Sequence, residues 1–429
     1  MVNVKIFNSK LEGNIRCPPS KSYTHRAIAI ASLTTENSII KNPLISRDTL
    51  ATILACKMLG ATIEESFQSL LVIGKESFDV PNDIINAENS GTTIRIISSM
   101  SALVRKGYTI LTGDESLRKR PMMPIISALN QLGVECFSTN EKGTPPLVIK
   151  GGGISGGKVN IDGNISSQFI SSLLISGIFA RSQVILNVNG KQVSTPYIEA
   201  TIETMKNFGV KIEHNVDYSE YIIPQTNYKG TLFNVPADFS AVALMISAGL
   251  LCGKKITIEN LNFEYPQGDK QIIDLVKKMG ADIRVNNEKG EITVLGSNEL
   301  KGIECDLSNT PDLLPAISIL ALKSTSPIKI YGISHARLKE TDRVSVIASE
   351  LRKLGVSVSD NRDEMVIYPI RQIKNAMLDS HNDHRLFMAF TIAALLTEKS
   401  IVKGAESVDV SYPVFLRDLK ILGAKIDLP

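Results

Sequence analysis

The arrangement of apolar and polar positions follows one pattern six times along the chain. In each copy an amphipathic helical segment ends at a glycine, and a run rich in β-branched residues begins about two residues later. A glycine at this point can take the left-handed conformation that ends many helices, so each copy predicts a helix and then a strand. The glycines, roughly 68 to 76 residues apart, are Gly60, Gly133, Gly209, Gly280, Gly355 and Gly423.

A second kind of helix lies between these copies. Each begins with a polar cluster and continues with small and aliphatic residues on nearly every side, which predicts a buried helix. The six segments are "SKSYTHRAIAIASL", "NSGTTIRIISSMSAL", "SSQFISSLLISGI", "DFSAVALMISAGLL", "TPDLLPAISILAL" and "NDHRLFMAFTIAALL". Each repeat is therefore expected to be an α/β unit of about 70 residues with one buried and one half-exposed helix.

The chain is longer than one hydrophobic core usually serves. Six units in 429 residues favour two domains of three units each. The stretch "GTLFNVPADFS" near 230–240 lies about midway and is the natural crossing point. The alternative is a single six-unit solenoid, which the sequence alone excludes only weakly.

Composition is that of a globular protein without a membrane span. Hydrophobic residues make up 43% and charged residues 21% of the chain, and no apolar run approaches the roughly 20 residues that a span needs. The opening "MVNVKIFNSK" alternates like a strand and lacks the apolar block of a signal peptide. We therefore expect a cytoplasmic protein.

Charge and cysteine content argue against two further classes. The net charge is only +3, aromatic residues make up 5% with no Trp, and no run rich in Lys and Arg is present, so the footprint of a nucleic-acid-binding protein is missing. The five cysteines are scattered and never form a CxxC pair, which argues against a disulfide framework or a zinc site. We expect reduced structural thiols and no metal.

Basic side chains lie near helix starts, where the helix dipole favours acidic ones. Lys21 and Arg26, Arg95, and Arg385 belong to the first, second and sixth polar clusters, although a helix start attracts anions. For any one of them the simpler interpretation is a surface charge with its stem along the protein. Recurrence at equivalent points weakens that interpretation and predicts that something negative neutralises them.

A further pair of basic residues lies in "RLKETDRVSVIASEL". Lys339 and Arg343 are four residues apart, which would place like charges on one helical face unless an anion intervenes. Glu340 and Asp342 could instead neutralise them locally. This stretch alone leaves both interpretations open.

Other polar stretches also precede helices. In "GDESLRKRPMMP" we expect Arg118 and Lys119 to form a solvated turn before Arg120. The segment "SSQF" supplies neutral groups suited to hydroxyls or phosphate oxygens, although serines there would be unremarkable as helix caps. "TPD" places Asp312 before a buried helix, and "NDHR" combines an amide, a carboxylate, an imidazole and a guanidinium.

Together these motifs resemble those of the 5-enolpyruvylshikimate-3-phosphate synthase family. The motifs, in the family's order, are "PSKSYTHR", "NSGTTIR", "RKRP", "SSQF", "STPY", "PD", "LKETDR" and "NDHR". The resemblance spans nearly the whole chain and implies an α/β fold of two similar domains, each of three βαβαββ units, with the active site in the interdomain cleft. It also implies that the N-terminal strand returns to the second domain, so that residues 1–14 and 236–429 form one domain and residues 15–235 the other.

The resemblance implies a reaction of the shikimate pathway of aromatic amino acid biosynthesis. The carboxyvinyl group of phosphoenolpyruvate would be transferred to the 5-hydroxyl of shikimate 3-phosphate, with release of phosphate and without a metal or organic cofactor. Such an enzyme is a glyphosate target and is expected to be a cytoplasmic monomer with no nucleic-acid or membrane partner.

The family's site residues carry over by position. The residues that resemble the shikimate 3-phosphate set are Ser22, Arg26, Ser166, Ser167, Gln168, Ser194 and Tyr197. Those that resemble the phosphoenolpyruvate set are Lys21, Gly91, Arg120, Lys339, Arg343, His384 and Arg385, with Asn89 and Thr92 in the same loop as Gly91. Asp312 resembles the residue that binds ring hydroxyls and takes the proton of the 5-hydroxyl. Glu340, with Lys21, resembles the acid that protonates the methylene carbon and later removes a proton from it.

The chain departs from the common family pattern at three positions. Ile96 stands where many members have Pro, Val410 where many have Lys, and His335 where Asn is frequent. Ile96 therefore leaves the sensitivity to glyphosate open, and Val410 means that one phosphoenolpyruvate contact is either missing or supplied by another residue.

Rival functions are a UDP-N-acetylglucosamine enolpyruvyl transferase, a non-catalytic anion-binding protein of the same fold and an RNA-end-processing enzyme. The first family carries a Cys in the loop equivalent to "GDESLRKRP", which has none here. A non-catalytic anion-binding protein would be expected to lose the carboxylates, but Asp312 and Glu340 are both present. An RNA-end-processing enzyme would need nucleotide-binding signatures and a more basic surface than a net charge of +3 provides.

Overall fold

The structure is a computed structural model that describes residues 2–75 and 77–428. The chain forms two compact units. The central unit is Pro19–Pro236, and the terminal unit combines Met1–Pro18 with Ala237–Pro429. The chain thus passes between the units a few residues later than the sequence-based boundary at 14/15, and one residue later than that at 235/236.

The helices and strands follow one another in a regular order. The chain opens with β1 (Asn3–Phe7) and β2 (Leu11–Arg16). The central unit contains α1 (Lys21–Ala31), β3 (Asn37–Lys41), α2 (Arg47–Met58), β4 (Thr62–Ser66), β5 (Ser69–Ile73), β6 (Ile85–Asn86), α3 (Gly91–Ser101), β7 (Tyr108–Thr112), α4 (Met123–Gln131), β8 (Cys136–Ser138), β9 (Leu147–Lys150), β10 (Gly157–Asp162), α5 (Ser167–Gly177), β11 (Val184–Asn189), α6 (Thr195–Asn207), β12 (Glu213–His214), β13 (Glu220–Ile223) and β14 (Leu232–Asn234). The terminal unit continues with α7 (Phe239–Cys252), β15 (Gly253–Glu259), α8 (Gln271–Lys278), β16 (Ile283–Asn286), β17 (Glu291–Leu295), β18 (Glu304–Asp306), α9 (Leu314–Leu320), β19 (Ile328–Tyr331), α10 (Arg343–Lys353), β20 (Val358–Asp360), β21 (Glu364–Ile367), β22 (Met377–Asp379), α11 (His384–Ala394), β23 (Lys399–Lys403), α12 (Phe415–Ile421) and β24 (Lys425–Asp427).

Within the described residues the strands form six four-stranded sheets of one plan. In the sheet ordered β10-β11-β13-β12, the first two strands are parallel and the other pairs antiparallel, which gives the chain order βαβαββ. The other sheets are β6-β7-β9-β8, β14-β3-β5-β4, β16-β17-β15-β2, β18-β19-β21-β20 and β22-β23-β1-β24. The predicted six-unit α/β fold is therefore confirmed.

Three sheets take one strand from a distant part of the chain. β1 lies between β23 and β24, with Ile6 opposite Ser400 on one side and Ile426 on the other. β2 runs parallel to β15, and β14 runs parallel to β3. Because β2 extends to Arg16 and pairs only within the terminal unit, a boundary at 14/15 would cut through a strand.

The helices divide into buried and half-exposed sets, as the sequence predicted. Every residue of α7 is buried, and α7, α9 and α11 pack on one another in the terminal unit. In the central unit α3 packs against α1 and α5. The six glycines after the half-exposed helices all have left-handed φ angles, between 80° at Gly133 and 106° at Gly60, which confirms their role as helix ends.

The caps of the buried helices differ between the two units. In the central unit α1, α3 and α5 begin at neutral caps, Ser20, Ser90 and Ser166, with no acidic residue in the first turn. In the terminal unit α7 and α11 are capped by Asp238 and Asp383. The positive helix ends of the central unit are thus capped by neutral groups, a setting that suits an anionic ligand.

The five cysteines are free and buried, as expected for structural thiols. Burial raises the pKa of the Cys56, Cys136, Cys252 and Cys305 thiols to about 12. No helix in the described part of the chain is both long and apolar enough to span a membrane. Within residues 2–75 and 77–428, no three His, Cys, Asp or Glu side chains group in a way that could hold a metal ion.

Candidate active site

The predicted site residues of the central unit lie at the starts of α1, α3, α5 and α6 and in the loop before α4. We call this set the serine cluster. It comprises the predicted residues Lys21, Ser22, Arg26, Asn89, Gly91, Thr92, Arg120, Ser166, Ser167, Gln168, Ser194 and Tyr197, and we add Arg95, which contacts them.

Arg26 is a buried cation held by neutral partners. The residue is 1% exposed. Its guanidinium donates to the Thr201 hydroxyl at 2.7 Å, to the Tyr197 and Ser22 carbonyls at 2.9 Å, and to the Ser171 hydroxyl at 3.5 Å. Burial lowers the pKa of Arg26 to about 10. Since no acidic side chain of the described residues pairs with Arg26, the simpler interpretation of a solvated surface charge is wrong here.

Lys21, in the first turn of α1, pairs with an acid that the sequence analysis did not select. Its ammonium lies 2.9 Å from Oδ2 of Asp48, and both side chains are largely buried. Asp48 lies in the first turn of α2, and its carbonyl accepts a hydrogen bond from the Thr93 hydroxyl. Asp48 therefore links Lys21 to the start of α3.

Gly91 begins α3 where two arginines converge. A Cβ atom at this position would lie 2.9 Å from Nη1 of Arg120 and 3.5 Å from Nη1 of Arg95. Arg120 is buried and donates to Oδ1 of Asn89 at 2.5 Å, and Asn89 in turn donates to Asp114. Only glycine leaves the Arg120 guanidinium in this position.

The start of α5 is joined to the start of α3 through Arg95. Its guanidinium donates to Oε1 of Gln168 at 2.5 Å and to the Ser166 hydroxyl at 3.4 Å, and it lies over the ring of Phe169. The Gln168 amide donates to the Thr92 hydroxyl at 2.9 Å. Arg95 was one of the cations noted at helix starts, but it was not among the predicted site residues.

The remaining predicted residues of the serine cluster flank these contacts. Ser167 is the first residue of α5 and is buried. Ser194 precedes α6 with a left-handed φ of 58°, and Tyr197 lies in the first turn of that helix. Arg118 and Lys119 are exposed, as predicted, whereas Arg120 turns inward.

The predicted residues of the terminal unit form a second group around Arg343. We call it the carboxylate cluster: the predicted residues Asp312, Lys339, Glu340, Arg343, His384 and Arg385, together with Asp383, which was not predicted. The Arg343 side chain is 1% exposed and donates to three acids, with closest distances of 2.7 Å to Glu340 and 2.8 Å to both Asp312 and Asp383. Burial alone would lower the pKa of Arg343, but the three carboxylates raise it above its usual value.

Asp312 brings two further cations into the cluster. Its Oδ1 lies 3.8 Å from the Lys339 ammonium, and its Oδ2 lies 3.1 Å from Nη2 of Arg385. Burial lowers the pKa of Lys339, and Arg343 and Arg385 act in the same direction against the two acids. The cluster is thus a network of alternating charges, in which Asp312 contacts three cations.

The expectation that Lys339 and Arg343 share one helical face is wrong. α10 begins at Arg343, after the cap Asp342, whose side chain accepts from the Ser345 amide. Lys339 directly follows the preceding 3-10 turn, Ser334–Leu338. An aspartate is a favourable cap, so the helix starts later than the charge spacing suggested. Glu340 does neutralise Arg343 locally, while Asp342 pairs with Arg337.

His384 and Arg385 are the first two residues of α11 and are buried. Asp383 caps this helix and accepts from the Arg385 amide at 3.0 Å. Asp383 is completely buried and joins α11 to Arg343, a role that its place in "NDHR" did not reveal.

The three departures from the family pattern are all buried. Ile96 is a buried residue of α3, and Val410 is the last residue of the 3-10 turn Ala405–Val410. Burial and the Lys339 charge lower the pKa of His335 to about 4, so its imidazole is neutral near pH 7.

The described residues thus define the class: an α/β protein of six βαβαββ units in two compact units, with buried cations near several helix starts. The chain belongs to the EPSP synthase (3-phosphoshikimate 1-carboxyvinyltransferase) family, whose model matches residues 7–419. This membership favours that family over the UDP-N-acetylglucosamine transferase alternative.

Individual relatives agree over nearly the whole chain. A 3-phosphoshikimate 1-carboxyvinyltransferase of Nitrosopumilus maritimus is 46% identical over 98% of this chain and 99% of its own length. That of Methanocaldococcus jannaschii is 43% identical over 98% and 97%. Among solved structures, EPSP synthase from Acinetobacter baumannii superposes with a TM-score of 0.83 at 25% identity, with both chains covered completely. The enolpyruvyl transferase NikO from Streptomyces tendae shares the fold, with a TM-score of 0.79 at 16% identity over 100% of this chain and 99% of its own.

Proposed function

We propose that the protein transfers the enolpyruvyl group of phosphoenolpyruvate to the 5-hydroxyl of shikimate 3-phosphate and releases phosphate. The observation that carries the proposal is Arg26, a buried cation in the second turn of the serine-capped helix α1, whose partners among the described residues are all neutral. A buried charge of this kind is costly unless an anion neutralises it. The family membership identifies which anions to test.

The serine cluster is the proposed site of shikimate 3-phosphate. Arg26, Ser166 and Ser167 would hold the phosphate, since guanidinium and helix-start groups suit its oxygens. Gln168, Ser22, Ser194 and Tyr197 would contact the remaining oxygens and the ring. Gln168 is already oriented by Arg95 and Thr92, so its amide is held before the substrate arrives.

The residues that we assign to phosphoenolpyruvate are those that the family resemblance implies. From the serine cluster we assign Lys21 and Arg120, together with the loop that contains Asn89, Gly91 and Thr92. From the carboxylate cluster we assign Lys339, Arg343, His384 and Arg385. Burial, Arg343 and Arg385 lower the pKa of Lys339 against the two acids Asp312 and Glu340, so an arriving anion would stabilise its charged form.

Two carboxylates are proposed to move protons. Asp312 would accept the proton of the 5-hydroxyl as its oxygen attacks C2 of phosphoenolpyruvate, while Glu340 with Lys21 would supply a proton to C3. The C2–O bond to phosphate then breaks, Glu340 takes a proton back from C3 to restore the double bond, and the proton of the 5-hydroxyl passes from Asp312 to the departing phosphate or to water. Because Asp312 and Glu340 both bond to Arg343, one side chain fixes the positions of the two acids.

No metal or organic cofactor enters this proposal, and we place the reaction in the cytoplasm, carried out by a monomer without nucleic-acid or membrane partners. Phosphate release by the purified protein tests the proposal, with each substrate omitted in turn and metals chelated. Release that requires both substrates and survives chelation is expected. Release from phosphoenolpyruvate alone, or none despite binding of both ligands, would count against it.

A further inference from the structure

A buried carboxylate next to the carboxylate cluster forms no ion pair with any residue that the structure describes. Asp269 belongs to the 3-10 turn Gly268–Lys270 that leads into α8, and it is 3% exposed. Its Oδ2 accepts a hydrogen bond from the Ser240 hydroxyl on α7. Its Oδ1 has no hydrogen-bond partner among the described residues. With one neutral donor and no bonded cation, this is an unfavourable place for a full negative charge.

Three charged groups act on Asp269 from neighbouring elements. Asp312, in the turn before α9, and Asp238, the cap of α7, oppose its ionisation, whereas Arg385 at the start of α11 favours it. Burial and the Asp312 charge raise the pKa of Asp269 to about 7. The adjacent Lys270 is not a counterion, because its ammonium donates to two backbone carbonyls.

The positive charge of Arg385 therefore acts on two acids, Asp312 and Asp269. It lies 3.1 Å from Asp312 and also favours the ionised form of Asp269. An anion that contacts Arg385 brings a further negative charge into the same buried surroundings. The charge of Asp269 then becomes less favourable, because like charges disfavour ionisation.

We propose that Asp269 is a positioning residue that takes up a proton when the anionic group of phosphoenolpyruvate binds at Arg385. This inference rests on the proposed function of the cluster. In its protonated form Asp269 leaves the Arg385 guanidinium to Asp312 and the ligand. In its ionised form it competes for that guanidinium and repels the ligand.

The linkage has a definite sign. In the free protein Asp269 is mostly protonated below its pKa and ionised above it, and in the complex the pKa is higher. Binding therefore takes up most protons at pH values between the pKa of the free protein and that of the complex. By reciprocity, affinity falls as pH rises through this window, by up to about tenfold per pH unit for one proton.

The test is calorimetric titration of the whole protein with phosphoenolpyruvate, in the presence of shikimate 3-phosphate that lacks the 5-hydroxyl and so cannot react. Proton uptake is obtained from titrations in buffers of different ionisation enthalpy, between about pH 6 and pH 9. The comparison is between the wild type, Asp269→Asn and the exposed control Asp274→Asn on α8. The ligand's own phosphate titrates alike with all three proteins, so a difference in proton uptake between them comes from the protein.

We expect the wild type and Asp274→Asn to take up more protons above pH 7 than Asp269→Asn, and to lose affinity more steeply with pH. Identical proton uptake in all three proteins would overturn the inference. A ligand that fails to bind the wild type at all would instead contradict the proposed function, so the two failures are distinguishable.

A second variant keeps the inference testable if Asp269→Asn does not fold. Ser240→Ala removes the hydroxyl that stabilises the ionised form of Asp269, so its pKa should rise. The window of proton uptake is then expected to move to higher pH. An unmoved window in a folded Ser240→Ala protein would contradict the role of Asp269.

Discussion

Replacement of Arg26 by methionine separates a ligand-binding role from a structural one. The variant keeps a long side chain but removes the charge. The lowering of the Arg26 pKa from 12.5 to about 10 corresponds to about 3 kcal/mol against the charged form in the free protein. The methionine variant is relieved of this cost.

The hydrogen bonds lost with the guanidinium are partly replaced. Thr201 and Ser171 keep a mutual hydroxyl hydrogen bond of 2.7 Å, and the Tyr197 carbonyl still accepts from Thr201. A buried acceptor left without a donor costs about 1–3 kcal/mol, similar to the relief from removing the charge. We therefore expect the free energy of unfolding of the ligand-free protein to change by less than about 2 kcal/mol.

Affinity for shikimate 3-phosphate should respond very differently. A bidentate guanidinium–phosphate contact supplies two charge-assisted hydrogen bonds of about 1.5–3 kcal/mol each. Their loss weakens binding at least about 100-fold. Urea unfolding without ligand and calorimetric titration with shikimate 3-phosphate measure the two quantities, with the exposed Arg181→Met as a matched control. Strong destabilisation of the free protein with unchanged affinity would refute the reasoning.

Three further substitutions test other parts of the two clusters. Gly91→Ala places a Cβ 2.9 Å from the Arg120 guanidinium. The KM for phosphoenolpyruvate should therefore rise about tenfold or more, while shikimate 3-phosphate binds nearly as before. Equal effects on both substrates in steady-state kinetics would argue against a role of Gly91 in phosphoenolpyruvate binding. Lys21→Ala should reduce turnover about 100-fold or more and largely spare shikimate 3-phosphate binding, and near wild-type turnover would mean that Lys21 is wrongly assigned. Glu340→Ala should leave both substrates bound but slow single-turnover chemistry by about 100- to 10,000-fold, whereas weak binding with normal turnover would make Glu340 a positioning residue.

Much of the fold could be predicted because each repeat encodes its own elements. Glycine at a helix end and apolar residues all round a helix are local signals, and both hold in all six units. The strand exchanges were harder, because β14 and β3 are nearly 200 residues apart and their pairing has no local signature. The return of the N-terminal strand followed only from the family resemblance, and it did not reveal that β1 and β2 enter different sheets.

The partners of the buried cations could not be predicted from the sequence. Arg26 and Arg343 both stand near helix starts, yet Arg26 meets hydroxyls and carbonyls while Arg343 meets three carboxylates. The Arg26 partners Thr201 and Ser171 lie 175 and 145 residues away. Charge spacing also misplaced the start of α10, because the cap residue, not the spacing of like charges, determines where that helix begins.

Asp48 and Asp269 were missed for a related reason. Asp48 looks like an ordinary acidic residue in the first turn of α2, and Asp269 follows a loop without hydrophobic periodicity. Their contacts depend on the tertiary fold, which brings Asp48 on α2 to Lys21 and brings Asp269, in the turn before α8, to Ser240 on α7.

The proposed enolpyruvyl transfer can be tested with phosphoenolpyruvate labelled with ¹³C at all three carbons, by analysis of the product that it forms with shikimate 3-phosphate in heavy water. We expect all three labelled carbons on the 5-oxygen, with inorganic phosphate released and deuterium incorporated into the methylene group. Labelled pyruvate, formed by water attack without transfer to the ring, would contradict the assignment of the protein as an enolpyruvyl transferase.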